Sequence, residues 1–340
     1  MAATIVDIAR VAGVGEATVV RALRGTGYVS PAAKARVKKA ARELGYHTNH
    51  IARSLALGKS PFVGFVAGSG DVSAFHPYIN TIEHRIREAR YSMLFYISAG
   101  DRPAAEQACF WELISKRVAG AIVVPGSLDA DPEPYRELIA NGIKLVIVDR
   151  YVEEVCVPQI IFDHYRSSRL AIEHLASLGH RRIAHLGIPE TSHVGRERAR
   201  GFRDALEAAG IPISECIIND VDPTEQAGAD AAARLLELKQ RPTAILTRRD
   251  SVAIGVMQTI LAAGLSIPND ISLVSHGGSG PSHALRVPLT TLRRPTQRMA
   301  TLAIEKLLDS LEGKDVEPVT TVLDVELVVR ESTGPPPAAA

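Results

Sequence analysis

The chain has 340 residues, 46% of them apolar, and a formal net charge of +1, which describes a globular protein large enough for two or three domains with a well-buried core. No uninterrupted apolar run approaches the roughly 20 residues that span a bilayer, and the N-terminal MAATIVDIAR carries charge where a secretory signal needs an apolar centre, so no membrane association and a cytoplasmic location are expected. The three cysteines, Cys109, Cys156 and Cys216, are odd in number, far apart and lack a Cys-x-x-Cys pair, which excludes a disulfide framework and a zinc site; no metal or cofactor is expected.

The small net charge hides an asymmetry. Residues 1–60 hold ten Lys/Arg against three acids, an excess of seven, and the remainder is therefore six negative. A basic head on a mildly acidic body predicts a polyanion partner for the head alone. Within that head, Thr4 is placed to cap a helix whose apolar residues Ile5, Ile8, Ala9 and Ala12 recur at helical spacing up to Gly13. After the turn Gly13-Val14-Gly15 a second helix starts at Glu16-Ala17-Thr18. It points Val19 and Leu23 inward and sets Glu16, Ala17 and Arg21 on another face, and Gly25 and Gly27 end it. Ser30-Pro31 starts a third helix that runs to Leu44 and stops at Gly45. Two short helices across a tight glycine turn, braced by a third, form a helix-turn-helix unit. Its second helix is the one that enters a DNA major groove: Arg21 can fork onto guanine, and Thr18 can hold a phosphate.

The stretches TIVDIARVAGVGEATVVRALRG and YVSPAAKARVKKAARELGYHTNHIARSLALGKS, followed by RRIAHLG, RERARGFRDAL, VPLTTLRRP and ELVVRES, resemble in order the lactose-repressor (LacI) family of bacterial transcription regulators. The resemblance implies a DNA-contacting set of Thr4, Glu16, Ala17, Thr18, Arg21 and Tyr28 in the head. It also implies a hinge segment at 49–60, with Asn49, Ala52, Arg53 and a minor-groove leucine at Leu55. Gly15 and Val20 stand where the family usually has serines. Glu16 accepts from cytosine and repels phosphate, which points to an unusual operator.

From Phe62 onward, short apolar runs (Phe62 to Val66, Met93 to Ile97, Gly120 to Val124, Lys144 to Val148, Ile183 to Leu186, Ala244 to Leu246, Ile271 to Val274) alternate with helical stretches (Ile79 to Ala89, Arg166 to Leu178, Arg196 to Ala209, Gln226 to Leu238, Ser251 to Ala263). That alternation predicts an α/β body with parallel sheets and crossover helices, binding ligands at the carboxyl ends of its strands. The resemblance implies two lobes similar to periplasmic sugar-binding proteins, with chain crossings near Ile161, Leu292 and Leu323. The expected domains are a head at 1–48, a first lobe at 61–161 and 293–322, a second lobe at 162–292 and 323–332, and a disordered tail at 333–340.

For the ligand, the resemblance implies a clamp at Arg198, with Ser69, Phe75, Asp149, Arg150, Arg249, Asp250 and His276 around it. In the stretch LVSHGGSGPSH, Gly277 stands where relatives carry a sugar-gripping aspartate, and Arg249 replaces an asparagine. Losing an acid and gaining a base points to an anionic effector, a sugar acid, a phosphorylated sugar or a small carboxylate; were Arg249 paired with a neighbouring carboxylate, the ligand would instead be a neutral sugar. A homodimer on a palindromic double-stranded DNA operator is expected, because one helix-turn-helix makes too few contacts. Outer helices of the first lobe, including Ile79 to Ala89 and residues near Phe110 and Trp111, are candidates for the interface, though such aromatic, methyl-rich faces could equally be core. An enzyme is not expected: Gly68-Ser69-Gly70 lacks the third glycine of a dinucleotide fingerprint, and the Gly277 turn lacks the Lys-Ser/Thr of a P-loop. A solute-binding receptor without a DNA role would account for the body and leave the head unexplained.

Overall fold

A computed structural model of the chain describes residues 3–24, 27–46, 60–68, 76–98, 103–278 and 282–337. The chain divides into two units, Met1–Pro61 and Phe62–Ala340. The first contains α1 (Ile5–Ala12), α2 (Glu16–Arg24) and α3 (Pro31–Glu43). Thr4 caps α1 in a reciprocal box: its hydroxyl accepts from the Asp7 amide at 3.3 Å, and the Asp7 carboxylate accepts from the Thr4 amide at 3.0 Å. Gly13 ends the helix at φ 62°, a left-handed conformation that glycine adopts without strain. Ser30 caps α3 through the Ala33 amide, with Pro31 in the first turn. Ile8, Ala12, Val19, Ala22, Val37, Ala40 and Ala41 form the core of this unit. Four of these seven are alanines, small enough to let three short helices pack closely.

The second unit runs β1 (Phe62–Ala67), α4 (His76–Glu88), β2 (Ser92–Ile97), α5 (Pro103–Ser115), β3 (Gly120–Val124), α6 (Glu133–Ala140), β4 (Lys144–Asp149) and β5 (Gln159–Phe162). It continues through α7 (His164–Ser177), β6 (Ile183–Gly187), α8 (His193–Ala208), β7 (Ile217–Asp220), α9 (Glu225–Leu236), β8 (Ala244–Thr247), α10 (Asp250–Ala262), β9 (Ser272–Ser275) and β10 (Thr290–Arg293). It closes with α11 (Thr296–Leu311), β11 (Thr320–Leu323) and β12 (Glu326–Val328). The strands form two six-stranded sheets, in the orders β11-β5-β4-β3-β1-β2 and β12-β10-β9-β8-β6-β7. All pairings are parallel except β10 with β12. The chain therefore passes from the first sheet to the second after Phe162, back after Arg293, and over again after Leu323.

Alternation along the strands explains why both sheets are covered on two faces. In β3, Ile122 and Val124 join a core with Tyr78, Ile82 and Ile86 of α4 and Met299, Ala303 and Ile304 of α11; Ala121 and Val123 join another with Phe110 and Leu113 of α5 and Leu138 of α6. The second sheet repeats this, with Ala184 and Ile245 packed toward α9 and α10, and Ile183 and Leu246 toward α7 and α8. The edge strand β7, Ile217–Asp220, is largely exposed and only its first two residues are apolar, which hides it from a search for apolar runs. Helix α11, by contrast, has apolar residues at helical spacing that the sequence reading did not single out.

One open alternative is decided and one expectation is corrected. Phe110 is core, set edge-on to Tyr135 with ring centroids 5.1 Å apart, whereas its neighbour Trp111 is 59% exposed. The tail expected to be disordered from 333 is instead tied down at its start: the Gly334 amide donates to Ser272 Oγ at 3.0 Å, and its carbonyl accepts from His180 Nε2 at 2.8 Å. Pro336 lies against Gly179. Buried polar partners on the sheet supply the hydrogen bonds that composition alone does not disclose.

Candidate functional site

The loops at the carboxyl ends of the strands converge on a cavity of about 330 Å³ between the two lobes, the place where parallel α/β sheets present their ligand sites. Asp149 and Arg150 follow β4, Arg248 and Arg249 follow β8, His276 follows β9, and Arg294 follows β10; His164 opens α7, and Arg198 lies in the second turn of α8. Among the described residues, five arginines and one aspartate thus line the cavity.

Arg198 is 6% exposed and donates through Nη1 to the Arg248 carbonyl at 3.0 Å, while its buried Nε has no hydrogen-bond partner among the described residues. Burial, and then the like charges of Arg294 and Arg248, push its guanidinium down to about 9, so it stays cationic at neutral pH. Asp149 and Arg294 form an ion pair at 3.0 Å, and the Arg294 guanidinium stacks over Phe162 at 5.2 Å. Burial opposes ionisation of Asp149, but Arg294 and Arg150 outweigh it and hold the carboxyl below its ordinary value. Its backbone takes the left-handed conformation, φ 73°, which aspartate tolerates better than most residues. Arg150 donates to the Gly126 carbonyl.

The histidines are neutral. Burial and the nearby Arg198 depress His164 to about 3 and His276 well below its ordinary value. Both His276 ring nitrogens are occupied, Nδ1 by Ser167 Oγ at 2.8 Å and Nε2 by Ser168 Oγ at 3.3 Å, which fixes the imidazole in the wall.

Of the residues anticipated for the ligand, Asp149, Arg150, Arg198, Arg249 and His276 line this one cavity. Asp250 is not among the lining residues: its Oδ2 accepts from the Gly278 amide at 2.9 Å and so props the turn after β9. Ser69 and Phe75 lie outside the described residues. Sequence reasoning missed His164 and Arg294 and gave Arg248 no role. Each sits within two residues of a strand's carboxyl end, and that position is the signal that would have found them.

Gly277 has a structural reason to be glycine. A Cβ there would overlap the Asp250 carboxylate, so an acid cannot simply be restored. Gly277→Asp is expected to destabilise the protein by about 1–3 kcal/mol through overpacking rather than confer neutral-sugar binding. A urea midpoint lowered relative to wild type would show this.

In the helical unit, Glu16, Ala17 and Arg21 share the exposed face of α2, opposite buried Val19 and Ala22. Arg21 Nε donates to the Ala17 carbonyl at 3.2 Å, which keeps the guanidinium on its own helix. Thr18 is half-buried, Tyr28 is 86% exposed, and the Thr4 hydroxyl is committed to capping. Asn49, Ala52, Arg53 and Leu55, with the hinge segment, lie outside the described residues. Among the described residues, no His, Cys, Asp or Glu cluster could hold a metal, and no helix is long and apolar enough to cross a membrane.

Comparison with known proteins agrees with this architecture. Residues 4–49 match bacterial regulatory proteins of the lacI family, and residues 172–333 match a periplasmic binding protein-like domain. The chain is 30% identical over 334 residues to the HTH-type transcriptional regulator CelR of Thermobifida fusca, covering 97% of this chain and 98% of that one. It is also 30% identical over 335 residues to the HTH-type transcriptional repressor CytR of Escherichia coli strain K12, covering 98% and 96%. Among solved structures, the lac repressor dimer bound to operator and the anti-inducer ONPF superposes with a TM-score of 0.85 at 28% identity, over 98% of this chain and 100% of that one. The CelR–cellobiose complex gives 0.71 at 27% identity, over 97% and 99%. A helix-turn-helix unit joined to a two-lobed α/β receptor, with full-length relatives that share both, makes this chain a member of the lacI family of bacterial transcriptional regulators.

Proposed function

We propose that this regulator acts in the cytoplasm as a homodimeric repressor, binds a two-fold symmetric DNA operator through its helical unit, and is controlled by a small anionic metabolite held in the interlobe cavity. The observation that carries the choice of ligand is that five arginines and one aspartate, among the described residues, line that cavity. Burying a guanidinium such as that of Arg198 is costly unless an anion joins it. An anionic sugar derivative such as a sugar acid satisfies this and fits the size of the space. The dimer, the operator and a sugar-like ligand are supported by the relatives just described. Exposed Trp111, on the outer helix α5, is the candidate anchor of the dimer.

The ligand acts through differential affinity. A molecule that touches both lobes favours one lobe arrangement, and operator affinity follows only as far as that preference extends. Titration calorimetry with aldonates, uronates and neutral hexoses tests the ligand class: tight binding of a neutral hexose with no heat from its acid overturns it. Gel shifts with promoter fragments test the operator role.

The exposed face of α2 makes a further prediction. Arg21→Ala is expected to weaken operator binding by about 1–3 kcal/mol and to relax discrimination at one base pair. Uniform loss across operator variants would assign Arg21 to a phosphate instead.

A further inference from the structure

Three of the lining cations are oriented by main-chain carbonyls, Arg198 and Arg248 on the second lobe and Arg150 on the first. Arg198, on the second lobe, is anchored on the Arg248 carbonyl; Arg150, on the first, is anchored on the Gly126 carbonyl. A carbonyl fixes a guanidinium and leaves its full positive charge in place. The Arg150 anchor is itself rigid, since the Gly126 amide donates to Oε1 of buried Glu106 at 2.7 Å, and Tyr135 Oη donates to Oε2 of the same carboxylate at 2.8 Å. Asp149, the one lining carboxylate among the described residues, already pairs with Arg294. A ligand with a single negative charge meets the anchored cation of one lobe, buried Arg198 or half-buried Arg150, and leaves that of the other lobe without it.

Resting on the anionic-effector reading above, we propose that the effector carries two anionic ends on an open-chain sugar frame, one received by Arg198 and the other by Arg150. Such a molecule ties the two lobes together through charge-assisted hydrogen bonds at both ends, which a monoanion cannot do. The chemistry is that of a sugar diacid or a phosphorylated sugar acid. A neutral His164 and a serine-locked His276 provide walls that add no competing charge.

Calorimetry on the full chain with glucarate, 6-phosphogluconate, gluconate and glucose separates the cases. At least one of the two-ended compounds is expected to bind about tenfold or more tightly than gluconate, and which of them does so identifies the second anion as carboxylate or phosphate. Arg150→Gln is expected to erase that preference, whereas Arg150→Lys keeps part of it; thermal midpoints of both variants establish that they fold. Gluconate binding as tightly as both two-ended compounds, or no heat from either of them, overturns the proposal. If gluconate still binds, the anionic reading survives; if only glucose binds, both fall.

Discussion

Arg198→Ala is expected to abolish the effector response, weakening effector binding about 100-fold while operator binding without effector persists. The side chain is buried in the cavity wall, and its Nε has no hydrogen-bond partner among the described residues. A donor buried in this way makes a strong bond to an incoming anion, because little water must be displaced from it. Its loss is not expected to unfold the protein: removing the guanidinium relieves burial and repulsion from Arg294 and Arg248, against which stand a vacated space and an undonated Arg248 carbonyl. These opposing effects leave the change in stability within about 2 kcal/mol. Arg198→Lys is not expected to restore binding, because an ammonium lacks the planar fork that reaches both the carbonyl and the ligand. Calorimetry with the effector and gel shifts at rising effector concentration measure the two effects separately. Variants that respond like the parent protein would remove Arg198 from the ligand's contacts.

The body is expected to lose stability steeply on mild acidification. Burial, followed by repulsion from Arg198, depresses His164 and His185 to about 3 and His276 well below the ordinary 6.5. In the folded protein these imidazoles refuse a proton that the unfolded chain accepts, so stability is level above about pH 6.5 and falls as the pH drops below it. Each histidine contributes a slope of about 1.4 kcal/mol per pH unit, and the three together about 4. Against a typical total of about 5–15 kcal/mol, one to two pH units consume much of the reserve. Asp149 does not offset this: its carboxyl is held below its ordinary 3.8, so the stability it contributes is present above that value and is lost only as the pH falls through its lower folded value, beneath most of the histidine window. Denaturant unfolding at about pH 7.5, 6 and 5 checks the slope. His185 stacks on Phe202 with centroids 4.9 Å apart, and its buried Nε2 has no hydrogen-bond partner among the described residues. His185→Leu is therefore expected to remove one histidine's share of the slope, about 1.4 kcal/mol per pH unit, and an unchanged slope would refute the assignment.

The helical unit was legible from local chemistry. Thr4, Gly13, Ser30 and Pro31 mark helix ends through capping and backbone conformation, and Ile8, Ala12 and Val19 mark buried faces through spacing. The alternation of the body was legible for the same reason, since central strands buried on both faces read as unbroken apolar runs. The edge strands β7, β11 and β12 were not, because they are short and largely exposed or half-exposed, whereas the edge strand β2 was legible in the apolar run Met93 to Ile97. The resemblance named Arg198 and Arg249 for the ligand, but it did not name Arg294, which lies where the chain crosses between lobes and meets Asp149 across 145 residues of sequence.

What the sequence by itself determined is the set of local preferences: helix ends, strand cores, a basic head and an arginine-rich choice of residues after the strands. The tertiary structure alone decided which of those arginines share one cavity, that Asp250 supports a turn rather than lining it, and that three histidines are neutral. The physical reason is that a charge's behaviour depends on how much water it loses and which other charges surround it, and both are set only when distant segments of the chain come together.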